Sequence, residues 1–142
     1  MTAGTTGHER IIASFNAQKM MHTFGASLRE ISTGNCIIDA PILPECTQQH
    51  GFGHAALAFG IGDSAAGYAA LSVMPEGAEV LTAEMKINLL SPATGEKLIA
   101  RGHVLKPGRR LVIVQADVHA LQNGHETHVA ALQGTMIPVF AT

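Results

Sequence analysis

The chain has 142 residues, of which 46% are hydrophobic and only 14% charged, and its formal net charge is −2. That length suits one domain with one buried core, and the near-neutral balance leaves no electrostatic footprint for nucleic acid. A small domain with so few charges is expected to cover part of its surface with another subunit, as a homo-oligomer.

Taken in order, the N-terminus from Met1 to His8 has neither a basic start nor an apolar stretch, so no signal peptide is expected. Residues 8–24 place Ile11, Ile12, Phe15, Met20 and Met21 at helical spacing, and Gly25 is a natural stop. Residues 28–33 and 36–40 read as two short strands about the turn pair Gly34-Asn35. Pro41, Pro44, Gly51 and Gly53 then keep residues 41–53 irregular. A long apolar helix follows from His54 and ends near Met74, before Pro75-Glu76-Gly77. It approaches membrane-spanning length, but Asp63, His54 and three glycines mark it as a buried core helix instead.

The remainder alternates with period two. In 80–90, Leu81, Ala83, Met85, Ile87 and Leu89 face one way and Thr82, Glu84, Lys86 and Asn88 the other. In 111–120, Val112, Val114, Ala116, Val118 and Ala120 oppose Gln115, Asp117 and His119. Such patterning marks antiparallel strands with one face on a core. Turn residues at 91–95, 106–108 and 123–124 separate them, and a last strand covers about 125–137. One long helix with five or six antiparallel strands predicts an α+β architecture in which a curved sheet wraps the helix. With no repeat or linker in view, residues 1–142 read as a single domain, an N-terminal helix over 8–24 and a core over 25–138.

Between Glu45 and Glu76 the only charged side chain is Asp63, mid-way along the apolar helix. A carboxylate there must be paired, hydrogen-bonded or used for chemistry. Held in an apolar cleft it has a raised pKa and is a better base at neutral pH. The helix start is the second candidate. Its first backbone N–H groups lack internal partners and carry partial positive charge, and the small residues Ala55 and Ala56 leave room for an oxyanion. Asp63 lies roughly 12 Å further along the helix, too far to act on the same carbonyl carbon. A symmetric dimer can bring Asp63 of one copy to the helix start of the other.

The run Gln48 to Ala70, the Pro75-Glu76-Gly77 turn and the segment Lys86 to Ala93 resemble PaaI-like hotdog-fold acyl-CoA thioesterases, over most of residues 25–138. The family motif is His-Gly-Gly at the helix start with an acid eight positions after the first Gly. This chain has His54-Ala55-Ala56 instead, with Asp63 at the acidic position. The resemblance implies a hotdog fold, and hydrolysis of acyl- or aryl-CoA thioesters to free acid and CoA without a cofactor or metal. With it goes the expectation of a homotetramer built as a dimer of dimers.

By position, the resemblance gives Asp63 the role of general base or nucleophile, and Ala55 that of the backbone N–H polarising the carbonyl. Gln48 orients water or thioester, Thr82 positions the nucleophilic water and His54 shapes the loop. Phe59 and Tyr68 are expected in the core or the acyl-pocket wall. Arg101, Lys106, Arg109 and Arg110 are the cations available for the phosphates of coenzyme A. Alanine can supply the oxyanion N–H unless the site demands positive φ.

Two other readings stay open on sequence: a hotdog acyl-thioester hydratase or dehydratase, needing a His–Asp pair, and a non-catalytic acyl-CoA-binding module. His119, His125 and His128 alternate across strand faces without a metal-ligand pattern. Cys36 and Cys46 fit neither a metal site nor a disulfide framework, which suits a reduced, cytoplasmic setting.

Overall fold

The computed structural model describes residues 3–141. The N-terminal segment forms two helices, α1 (Ala3–Ala17) and α2 (Lys19–Phe24), where the sequence predicts one over 8–24. The break is at Gln18, whose extended backbone (φ −82°, ψ 102°) turns the chain between them. Ile11, Phe15 and Met21 are buried, while Ile12 and Met20 are exposed. Gly25 ends α2 in the left-handed conformation (φ 69°), as predicted.

Strands β1 (Ser27–Ser32) and β2 (Asn35–Pro41) pair antiparallel about Thr33-Gly34, one residue earlier than the predicted turn. A short 3-10 turn (Pro44–Cys46) leads to the central helix α3 (Ala55–Leu71). Then come β3 (Ala78–Leu89), β4 (Lys97–Lys106), β5 (Val112–Gln122) and β6 (His125–Phe140). All six strands form one antiparallel sheet in the order β1-β2-β4-β5-β6-β3. The sheet packs around α3, which is the hotdog arrangement. The β5–β6 turn is Asn123-Gly124, both at positive φ (53° and 76°), the backbone that a two-residue hairpin requires.

The core lies between α3 and the inner sheet face. Val112, Val114, Ala116, Val118 and Ala120 of β5 are all buried, as their alternation predicts. Leu57, Ile61 and Leu71 supply the bulk from α3, each side chain stabilising the fold by about 1.5–3 kcal/mol. Ala65, Ala66, Ala69 and Ala70 are fully buried and allow a close approach to the sheet. At its tightest, a Cβ on Gly102 of β4 would lie 2.5 Å from the Ala65 carbonyl oxygen. Only glycine fits there. No helix among the described residues is long and apolar enough to cross a membrane.

Strand β3 departs from the predicted alternation. Its pairing with β6 runs Thr82 to Met136 and then Glu84 to Thr135, so Ala83 is an extra, bulged residue. The bulge reverses the facing of everything before it. Thr82 therefore shares the inner face with Met85 and Ile87, which pack against the core, while Leu81 points outward and is 55% exposed.

On the outer face, Asp39 of β2 is only 5% exposed. Arg29 (2.9 Å) and Lys97 (2.8 Å) pair with its carboxylate and tie β1, β2 and β4 together. Neither cysteine is bridged. Burial pushes the Cys36 thiol up to about 12, so it is inert as a nucleophile.

Candidate active site

Asp63 sits mid-way along α3, half-buried beneath β3. Its Oδ1 accepts a 2.7 Å hydrogen bond from Thr82 Oγ1, so the bulge at Ala83 delivers this hydroxyl to the carboxylate. Burial raises the Asp63 carboxyl above its ordinary value, and the Thr82 hydrogen bond opposes that rise. Around the carboxylate lies a cavity of about 150 Å³, lined by Thr82, Val80, Met136, Gly67 and Tyr68 among others. No other described side chain bonds Oδ2, so one oxygen is held and the other is available.

The second group forms at the start of α3. Gly53 N–H donates to the Ala93 carbonyl (2.7 Å) and His54 N–H to the Cys46 carbonyl (2.9 Å), which pins the loop to its neighbours. His54 is the N-cap: its Nδ1 accepts from Ala56 N–H at 2.9 Å. Leu57 N–H reaches the His54 carbonyl (2.9 Å). Among the described residues, Ala55 N–H alone of these three first helical amides has no acceptor. Asn123 is the only described non-glycine residue at positive φ, so alanine at position 55 is unstrained and the departure from glycine leaves the donor intact.

Gln48 supports the same loop. Its Oε1 accepts from His50 N–H (2.6 Å) and Phe52 N–H (3.3 Å), which leaves its amide NH₂ as the free end. Gln48, His54 and Ala55 line a cleft of about 480 Å³ whose other walls include Phe52, Leu89, Leu90 and Pro92. Two hydrogen-bond donors in a mostly apolar cleft suit a carbonyl oxygen that becomes an anion.

Within one chain the two groups stay apart. The Asp63 cavity and the Ala55 cleft share no lining residue, and eight residues of helix separate them by about 12 Å. His54, occupied in capping and nine residues from Asp63, forms no His–Asp pair with it.

The remaining sequence candidates divide. Tyr68 is buried and lines the Asp63 cavity, while Phe59 is half-buried and lines neither cavity. Arg101 lies on the outer sheet face in a two-pronged pair with Glu126 (2.8 and 3.0 Å), away from the other three cations. Lys106, Arg109 and Arg110 sit together in the exposed β4–β5 turn with no carboxylate partner among the described residues. His119 and His128 stack with centroids 4.6 Å apart. Among the described residues no three His, Cys, Asp or Glu side chains are grouped to hold a metal ion.

The cavity also contains Ser64 and three residues passed over in the sequence: Ser14 and Gln18 from α1 and the α1–α2 joint, and Glu79 of β3. Ser14 and Gln18 are four apart on the N-terminal segment, a spacing that shares one face in an unbroken helix, but Gln18 lies in the extended break after α1. Only the docking of this segment shows that both reach the Asp63 cavity.

The sequence model of the thioesterase superfamily matches residues 50–126, a span holding the helix start, Asp63 and Thr82. The chain belongs to this superfamily. A thioesterase family protein from Silicibacter pomeroyi is 38% identical, with a TM-score of 0.93, covering 95% of this chain and 99% of that one. The PaaI protein of the E. coli phenylacetic acid degradation operon shares the fold at 16% identity, with a TM-score of 0.85 over 99% of both chains. A Haemophilus influenzae thioesterase does so at 17% identity, with a TM-score of 0.81 over 93% of this chain and 90% of that one. A search of curated proteins finds no match. The chain is thus a thioester hydrolase of this superfamily, with a hotdog fold like that of PaaI.

Proposed function

We propose that the thioesterase hydrolyses acyl- or aryl-CoA thioesters to free acid and CoA, at a site shared by two copies of the chain. The observation that carries this is the separation of Asp63, with its free Oδ2, from the unoccupied N–H of Ala55. Each is one half of a hydrolytic site. Strand β3 is the open edge on the side of both halves. Its C-terminal end borders the Ala55 cleft through Leu89, and its middle carries Thr82.

Antiparallel pairing of two β3 strands about Met85 or Lys86, with the bulge kept, sets inward-facing Thr82 of one copy opposite Ile87 or Leu89 of the other. Asp63 then meets the helix start of the second copy. Such pairing also covers an exposed edge that carries apolar side chains, and a further pairing of dimers gives the tetramer.

In this site Ala55 N–H and the Gln48 amide polarise the thioester carbonyl. Asp63 Oδ2 takes a proton from water as the water oxygen bonds to the carbonyl carbon. The C–S bond breaks as the carbonyl re-forms, and the thiolate leaves with the proton returned by Asp63. Lys106, Arg109 and Arg110 are free to meet phosphates at the mouth. Arg101, already neutralised by Glu126, is not needed for this.

Subunit complementation tests the reading. Asp63→Asn and Ala55→Pro each remove one half of the site and are expected to be inactive alone. Refolded together in equal amounts, half of the dimers are mixed and each has one intact site, giving about a quarter of wild-type thiol release. No recovery in the mixture, with each variant folded, would sink the shared site. The absence of thiol release from any CoA ester by the wild type would sink the activity itself.

A further inference from the structure

We propose that Gln18, Ser14 and Tyr68 form a polar end-stop that selects short acyl groups ending in an uncharged hydroxyl, so that the N-terminal helices decide which thioester is hydrolysed. The inference rests on Asp63 being the hydrolytic base, because the end-stop closes the cavity that opens from its carboxylate.

Two of the hydrogen bonds of this wall have a fixed direction. Gln18 Nε2 donates to Tyr68 Oη (3.1 Å), and Gln18 Oε1 accepts from Ser64 Oγ (3.3 Å). Tyr68 Oη and Ser14 Oγ lie 3.1 Å apart and either can donate to the other, so their mutual bond uses one of the two hydroxyl protons. The other hydroxyl proton of this pair is then without an acceptor among the described residues, and the wall keeps spare oxygen lone pairs. A donor and acceptors side by side suit an alcohol, which both gives and takes a hydrogen bond. A methyl group in the same place leaves that hydroxyl donor unsatisfied. The wall is rigid, because the buried Tyr68 ring packs edge-on against Phe15 with centroids 6.3 Å apart.

Size and charge narrow the class further. Tyr68 is five residues beyond Asp63, about 7.5 Å along the helix. The 150 Å³ of free space is about that of an engineered cavity that takes one benzene, so the acyl group has about six or seven heavy atoms. Arg10 holds the stop in position, its guanidinium donating to the carbonyls of Leu71 (3.1 Å), Met74 (3.3 Å), Pro75 (3.2 Å) and Ala78 (3.3 Å). Glu79 joins Asp63 in the lining and no cation does. An acyl group with an anionic tail is therefore repelled.

Thiol release on isosteric pairs reads this out: 4-hydroxybutanoyl- against pentanoyl-CoA and 5-hydroxypentanoyl- against hexanoyl-CoA. Dodecanoyl- and glutaryl-CoA serve as length and charge controls. The wild type is expected to favour each hydroxylated member about tenfold in kcat/KM, and both controls to fall about tenfold or more below them. Gln18→Leu, and independently Tyr68→Phe, should reduce the preference to about twofold or less, with folding checked by thermal unfolding. Equal rates within the wild-type pairs, or a preference unchanged in both folded variants, overturn the end-stop while leaving hydrolysis standing. Wild-type protein that hydrolyses none of these esters and no other CoA thioester overturns the parent reading instead.

Discussion

Thr82 and Asp63 lie on different elements, yet the Thr82 hydroxyl sits 2.7 Å from Asp63 Oδ1 and faces it only because β3 bulges at Ala83. The bond holds one carboxylate oxygen and leaves the other without a side-chain partner among the described residues. It also opposes the rise that burial imposes on the Asp63 carboxyl.

Removing this bond should therefore change a pH profile as well as a rate. Thr82→Val keeps the shape and deletes the donor, so the Asp63 carboxyl rises further. The acidic limb of kcat/KM, where activity appears as the base loses its proton, is expected to move to higher pH. The plateau should fall about tenfold as water and carboxylate lose their alignment. An acidic limb that stays in place would show that Asp63 is not the titrating base.

Asp63→Asn separates activity from stability. Turnover should drop by a factor on the order of 10³. Stability should move the other way. The folded-state value of Asp63 is raised above its unfolded one, so the native chain holds this proton more tightly. Its contribution to stability is thus most favourable below the ordinary value of 3.8 and declines as pH rises through the folded-state value. Thermal unfolding should show the Asn variant gaining on the wild type with pH across that window, with the full gain at neutral pH. An Asn variant less stable than wild type at pH 7 contradicts this.

Ala55→Pro isolates the oxyanion donor. Position 55 is the first residue of α3, where proline is tolerated because its missing N–H is not part of the helix ladder. The preceding His54 is already extended (φ −64°, ψ 147°), as a residue before proline must be. The variant should fold with Tm within a few degrees of wild type, yet lose about 10²–10³ in kcat. Near-normal turnover would remove Ala55 N–H from the site.

Gly102→Ala tests the fold rather than the chemistry. Its Cβ would press on the Ala65 carbonyl and the Ala66 amide, both helix backbone with no freedom to yield. A loss of about 3 kcal/mol is expected, read as a fall in Tm of roughly 10 °C. A neutral substitution would mean that α3 sits further from the sheet than the structure has it.

Much of the site was legible in the sequence because it depends on local spacing. An isolated acid in an apolar helix, eight residues after a helix start, remains so wherever the helix docks. The buried face of β5 was equally legible, since period-two alternation survives in a regular strand. The pattern misled at Ala83, where one extra residue moved Leu81 to solvent and turned Thr82 inward. It misled again at Gln18, where an extended residue split one predicted helix into two.

The sequence alone singled out the groups that the proposed reaction uses: the charge at Asp63, the small residues that open the start of α3, and the antiparallel strands that enclose them. Those features follow from residue type and separation along the chain. Only the tertiary structure decided what each group faces. Thr82 reaches Asp63 across 19 residues of chain, Arg101 is committed to Glu126, and Gln18 closes the cavity from an element 46 residues away. Such contacts are set by packing between elements, and no periodicity within one element encodes them.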